Sequence, residues 1–252
     1  MTTFETLAGS ARAGTLYGVG VGPGDVRYLT LRAAGLVRSV DVVAFFARKD
    51  SVGNARRIVT PLMEPQRTEL RLEYPVTEEM PAGSVEYQQQ IAAFYRESAE
   101  RLAVLLKEGK SVGLLAEGDP FFYGSFMHMW RRLAGDFPVE VVPGVTGMSG
   151  CWTRAGTPIT WGDDMLAVLP GTLGESQLVE RLRLTDAAVI MKVGRNLPKV
   201  RRAVEAAGLL SRAIYVERGT MQDERILPLG DCIDPRGAYF GMVLIPGQGR
   251  QI

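Results

Sequence analysis

The sequence predicts an α/β protein built as two α/β domains with a ligand cleft between them. Three observations lead there. Short apolar strands alternate with helical stretches along the whole chain, the pattern of largely parallel sheets. Two of the strands break into glycine-acid turns, Gly18-Val19-Gly20-Val21-Gly22-Pro23-Gly24-Asp25 and Ala116-Glu117-Gly118-Asp119-Pro120. Residues 156–162 read as a linker, which divides the 252 residues into an N-terminal domain, 1–156, and a C-terminal domain, 157–252.

The elements follow in order. Residues 15–21 form a first strand, and Asp25 is placed to N-cap a helix running to Arg38, with Leu29, Ala33, Leu36 and Val37 on one face. A strand at 40–46, a helix at 53–63 and a short strand at 70–75 come next. Residues 78–84 are a polar loop containing proline and glycine. The helix that follows, 85–107, carries Ile91, Phe94, Tyr95, Leu102 and Leu105 at its apolar positions. Residues 111–116 are a buried strand. Asp119 and Pro120 read as an N-cap and the first position of a helix. A strand at 139–142 ends at Pro143-Gly144 and leads into a small-residue helix through Gly150 and Ala155. Beyond the linker, strands are expected at 165–169, 187–193, 213–217 and 239–245, with an extra one at 224–229. A helix at 197–207 stops at Gly208, a C-cap residue.

Composition narrows the function classes. Hydrophobic content of 46% and charged content of 23% belong to an ordinary globular protein with a sizeable core. Basic and acidic residues nearly cancel, 29 against 28, so no overall field draws nucleic acid or an anionic membrane. Arginine makes up 24 of the 29 basic residues, which suits bidentate carboxylate recognition and equally a GC-rich genome. Cys151 and Cys232 form no spaced pair, so neither a zinc site nor a disulfide framework is indicated. His128 is the only histidine, which argues against His-based metal sites and against Ser-His-Asp or Cys-His catalysis. Residues 1–14 contain no apolar signal core and no run reaches membrane-spanning length, so a cytoplasmic protein is expected.

The first glycine turn invites a dinucleotide reading, and its own residues oppose it. A G-x-G-x-x-G fingerprint needs a third glycine for helix packing and free N–H groups for the pyrophosphate. Read from Gly18 and Gly20, the third position is Pro23; read from Gly20 and Gly22, it is Asp25. The next strand runs into Arg48 and Lys49 instead of an acid for the ribose. A proline and a carboxylate suit a ligand that is not a polyphosphate.

Five motifs in order carry a more specific resemblance. Gly18-Val-Gly-Val-Gly-Pro-Gly-Asp25 followed by Leu29-Thr30-Leu31-Arg32-Ala33 resembles the opening signature of the tetrapyrrole methylases, the S-adenosylmethionine-dependent enzymes of sirohaem and cobalamin synthesis. Glu117-Gly-Asp-Pro120 with Phe122-Tyr123-Gly124 resembles their second motif, and Val142-Pro-Gly-Val-Thr146-Gly147 their third. Met191-Lys192-Val193-Gly194 and Glu217-Arg218-Gly219-Thr220 resemble the C-terminal pair. Within the family, the segments around Glu117, Met191 and Tyr215 are most similar to members that methylate C20 of precorrin-2 to give precorrin-3A. The chain departs from the family pattern at Val26, Arg32, Ala116 and Gly147. The last, where alanine or serine is usual, is expected to loosen its turn.

The resemblance implies a class III methyltransferase-like fold with S-adenosylmethionine held between the domains. Carried over by motif, the cofactor contacts are Pro23, Glu117, Gly118, Asp119, Phe122, Thr146, Gly147, Met191 and Gly219. For Glu117 and Asp119, capping of the following helix is the structural alternative. The reaction it implies is methyl transfer to a nucleophilic meso carbon, after which a base removes that carbon's proton. Asp25, Glu117, Asp119 and Tyr123 are candidates by their place in the motifs. Arg27, Arg154, Arg195 and Arg218 are candidates for the eight carboxylates of precorrin-2. The resemblance also implies a homodimer, for which residues 197–210 offer an apolar helix face. Methylation of another ring position or of the cobalt-containing precursor, nicotinamide-dependent redox chemistry, and a non-catalytic carrier are the alternatives.

Overall fold

The computed structural model describes residues 3–75 and 84–249. The polar loop expected at 78–84 lies, apart from Ser84, outside the described residues. The chain divides into two compact units, Met1–Thr146 and Gly147–Ile252.

In the first unit five strands form one sheet: β1 (Leu16–Gly20), β2 (Val42–Ala47), β3 (Thr68–Glu73), β4 (Val112–Ala116) and β5 (Val139–Val142). Their order is β3-β2-β4-β1-β5, and every pair is parallel. A parallel sheet is covered on both faces, so its central strands are apolar throughout; all five residues of β1 and of β4 are buried. Side chains alternate between the two covers. Leu16, Ala44 and Leu114 pack under α4 (Val85–Lys107) and α5 (Phe126–Leu133). Tyr17, Val19, Val43 and Leu115 pack under α2 (Leu31–Ser39) and α3 (Asn54–Val59). Gly18 faces the α5 side, where the Phe126 ring occupies the space a Cβ would need.

Two helix starts differ from the sequence expectation. Asp25 caps only a short 3-10 turn, Val26–Tyr28, while Thr30 accepts from Ala33 N–H and starts α2. Asp119 and Pro120 open no helix; residues 120–124 stay in turns and α5 begins at Phe126. A five-residue helix, α1 (Phe4–Ala8), precedes β1, with Ala8 seated against Gly35 of α2.

The second unit holds α6 (Gly147–Arg154), β6 (Leu166–Pro170), α7 (Glu175–Arg183), β7 (Ala187–Met191), α8 (Leu197–Ala206), β8 (Ile214–Glu217), β9 (Arg225–Pro228) and β10 (Gly241–Ile245). Sheet order is β6-β7-β10-β8-β9. Only β6 and β7 are parallel; β10 runs antiparallel to β7 and β8, and β9 antiparallel to β8. The expectation of largely parallel sheets therefore fails in this unit. Residues 218–224 join β8 to β9 directly, and a parallel return needs a crossover of about a dozen residues or more. The helix at α7 was not foreseen; Leu178 and Leu182 give it a buried edge.

The division also falls ten residues before the expected boundary. α6 covers one face of the second sheet, where Cys151, Met148 and Trp152 pack on Val189, Val216, Met242 and Leu244. The other face takes α7 and α8, with Leu197, Val200, Ala203 and Val204 buried in the core. The apolar face of α8 is thus committed within its own unit and is no free dimer surface. No helix among the described residues is long and apolar enough to cross a membrane.

Candidate functional site

In the first unit, β4, β1 and β5 are neighbours, so the turns leaving their carboxyl ends lie side by side. That edge is where open parallel sheets bind ligands. The first two turns keep pairing beyond the strands: Val21 N–H donates to Ala116 C=O at 2.9 Å, and Gly118 N–H to Gly22 C=O at 2.8 Å. The third closes on them glycine against glycine. A Cβ on Gly144 would land on the Gly118 carbonyl oxygen and lie 2.9 Å from Gly20 Cα. A Cβ on Gly20 would lie 2.6 Å from Gly144 N. Backbone approach this close is open to glycine alone. Pro23 is buried beside this junction, as is Gly118.

The acids in these turns have distinct duties. Asp119 ties two turns together, Oδ1 accepting Phe121 N–H at 2.9 Å and Oδ2 accepting Gly144 N–H at 3.1 Å. Asp25 gives both oxygens to Arg27, the shortest contact being 2.6 Å from Nη2. Glu117 caps a helix, though not the one that follows it: Oε1 accepts Ala55 N–H at 3.0 Å in the first turn of α3, 62 residues away in sequence. No side chain at Gly53 serves that end. Glu117 keeps exposed surface while protein crowds its carboxyl. Burial raises its pKa above the ordinary 4.5, against smaller lowering from its own N–H and that of Ala55. Phe122 is half-buried and meets the exposed Tyr123 ring edge-on, centroids 5.0 Å apart.

The second unit presents its own turns. Met191 ends β7, half-buried, and its carbonyl accepts Gly171 N–H at 2.6 Å. Gly219 follows β8 and touches α6: a Cβ there would lie 2.9 Å from Cys151 Sγ. Burial pushes that thiol up to about 12, so it stays protonated and inert. Thr220 N–H donates to Glu224 Oε2 at 2.8 Å, and Glu224 is gripped from α6 by Arg154, whose Nε lies 2.9 and 2.8 Å from its two oxygens. The Arg154 hydrogen bond is the chief reason the Glu224 carboxyl titrates below its usual range. Thr146 closes the first unit and Gly147 opens α6. Met242 Cε sits 2.9 Å from where a Gly147 Cβ would be, so the missing side chain is replaced by a methionine methyl and the turn is packed, not loosened.

Backbone strain marks the same turns. Five non-glycine residues among those described have positive φ; Tyr123 (56°), Lys192 (55°), Arg218 (47°) and Thr220 (72°) are four of them, Asp50 the fifth. Such conformations cost about 1–3 kcal/mol each and collect at functional sites.

A family model for the tetrapyrrole (corrin/porphyrin) methylases matches residues 15–231. The chain belongs to this family. The precorrin-2 C(20)-methyltransferase of a Sinorhizobium species is 52% identical over 234 residues, 93% of this chain and 96% of the relative. The cobalt-precorrin-2 C(20)-methyltransferase of Salmonella typhimurium is 30% identical, covering 93% and 97%. A crystal structure of a cobalt precorrin-4 methyltransferase superposes with a TM-score of 0.71 at 22% identity, covering 92% of this chain and 95% of that one, which shows the shared fold.

Of the four arginines singled out from this tetrapyrrole methylase's motifs, three are paired within their own unit. Arg27 holds Asp25, Arg154 holds Glu224, and Arg218 reaches Asp223 at 2.7 Å. Arg195, exposed at the end of the Met191 turn, has no carboxylate partner among the described residues. The partners themselves escaped sequence reasoning. Glu224 is 70 residues from Arg154, Ala55 is 62 from Glu117 and Gly144 is 25 from Asp119, all outside any local pattern.

Proposed function

We propose that this chain is an S-adenosylmethionine-dependent methyltransferase acting at C20 of precorrin-2, giving precorrin-3A. The observation that carries the reading is 52% identity, end to end, with a precorrin-2 C(20)-methyltransferase. The lower identity to the cobalt-precorrin-2 enzyme, 30%, favours the metal-free substrate.

The residues suit this methyl donor. Gly20 and Gly144 bring the motif turns into backbone contact at the Gly118 carbonyl, and the Thr220 hydroxyl beside Gly219 is buried with no hydrogen-bond partner among the described residues. S-adenosylmethionine, when bound, supplies a methyl group on a cationic sulfur. In the first unit, Pro23, Glu117, Gly118, Asp119, Phe122 and Thr146 are its proposed contacts; in the second, Gly147, Met191 and Gly219.

The chain's own contribution is alignment, exclusion of water and proton removal. Alignment of reacting atoms alone lowers such barriers by roughly 7–11 kcal/mol. The methylated carbon must then give up its proton, and Glu117, which keeps exposed surface, is the proposed acceptor. Asp25 spends both oxygens on Arg27, and Asp119 spends both on backbone N–H groups. Arg195 is the proposed anchor for a substrate carboxylate. Arg195→Ala should raise KM for the tetrapyrrole about tenfold and leave S-adenosylhomocysteine binding unchanged, as loss of one charge-assisted hydrogen bond requires. An unchanged KM in steady-state assays would remove Arg195 from the site.

The reading carries with it a cytoplasmic homodimer, expected to sediment at twice the 27.5 kDa chain mass. The deciding experiment is incubation with precorrin-2 and ¹³C-methyl-labelled donor, followed by NMR location of the new methyl. Label at C20 supports the reading; label at another ring carbon, or calorimetric binding of NAD instead of S-adenosylhomocysteine, overturns it.

A further inference from the structure

Thr220 carries two unfavourable features that its turn does not need. Its φ of 72° is one that a β-branched side chain rarely adopts. Its hydroxyl oxygen is buried and has no hydrogen-bond partner among the described residues. A residue serving only to turn the chain at positive φ would be glycine, asparagine or aspartate, which adopt it with less strain. The conformation is nonetheless held firmly. Thr220 N–H is bound to Glu224 Oε2 at 2.8 Å, Glu224 is gripped by the Arg154 guanidinium from α6, and Arg218 at φ 47° flanks Gly219 on the other side. A fixed, strained backbone therefore holds an unpaired hydroxyl out of water, and a buried hydroxyl left unpaired destabilises the free protein.

We propose that the Thr220 hydroxyl hydrogen-bonds a polar group of the methyl donor, making Thr220 a donor-binding residue alongside Gly219. A hydroxyl both donates and accepts, so it can pair with a hydroxyl, amino group or ring nitrogen of the nucleoside. The inference rests on the methyltransferase reading above and adds to it a side-chain contact. It also accounts for the strain: the same clamp that imposes positive φ fixes the hydroxyl beside Gly219 before the ligand arrives.

The test uses the full chain, with S-adenosylhomocysteine as the probe in calorimetric titration and the melting temperature of the ligand-free protein as a second readout. Thr220→Val keeps the branched shape and removes the hydroxyl. It should weaken S-adenosylhomocysteine about tenfold while the ligand-free protein melts at the same temperature or higher, because an unsatisfied buried polar group has gone. Thr220→Ser keeps the hydroxyl and should bind within threefold of the parent; a loss in the serine variant equal to that in the valine variant would trace the effect to packing and overturn the proposal. Parent-like affinity in Thr220→Val overturns it too, with the methyltransferase reading intact. Failure of the parent itself to bind the probe overturns both. Should the valine variant fail to fold, as judged by circular dichroism, Thr220→Ala supplies the same comparison.

Discussion

Replacing Glu117 by glutamine is expected to lower kcat by about 10²–10⁴-fold, the usual contribution of a positioned general base. Glutamine keeps an oxygen that can accept Ala55 N–H, so the start of α3 stays capped and only the proton-accepting capacity is lost. The parent enzyme's rate should rise with pH along an acid limb set by Glu117, placed above the ordinary carboxyl value of 4.5 because burial disfavours the charged form. The glutamine variant should lack that limb. Stability moves the opposite way. A carboxyl whose pKa is raised by folding stabilises the fold most fully below its unfolded value, and loses that contribution as pH rises through the folded one. At neutral pH the glutamine variant should therefore melt no lower than the parent. Glu117→Ala, which also removes the cap, should cost about 1 kcal/mol. A glutamine variant with parent-like kcat and an unchanged pH profile would leave Glu117 as a helix cap alone.

The largest effect on stability is expected at Gly144. In Gly144→Ala the new methyl collides with the Gly118 carbonyl and crowds Gly20 Cα, and both obstacles are backbone. No rotamer change relieves them, so the cost should reach about 3 kcal/mol, the top of the usual overpacking range. For a chain of this length that corresponds to a fall in melting temperature of about 6–12 °C. The shift also pulls Gly144 N–H from Asp119 Oδ2 and spreads three turns at once, so S-adenosylhomocysteine affinity should fall with stability. Gly135→Ala is the control: nothing lies within 4 Å of its Cβ. Scanning calorimetry decides the matter, and a Gly144→Ala variant that melts with the Gly135→Ala control would show that the glycine junction gives way easily.

The strands were legible wherever the signal is local. The expected strands at 15–21, 111–116 and 139–142 match β1, β4 and β5 to within a residue at each end, and the helix expected at 85–107 is α4. Glycine turns were legible for the same reason, since positive φ and close approach restrict residue type at the position itself. Helix starts were less so. Asp25 and Asp119 both carry a capping residue's chemistry, yet each satisfies a turn, because a carboxylate bonds whichever N–H groups the chain brings nearest.

The sequence by itself determined the α/β class, the positions of the turns that bear the motifs, and membership of the tetrapyrrole methylases. The first two rest on periodicity and on residue types within short windows, the third on the resemblance carried by five motifs. The tertiary structure alone decided that the second sheet is mainly antiparallel, that α6 belongs to the second unit, and which charged groups are already paired. Glu117 meets Ala55, Asp119 meets Gly144, and Arg154 meets Glu224 only after strand order has brought distant turns together. Hydrogen-bond partners at such separations are set by which strands neighbour one another, and side-chain periodicity carries no record of that.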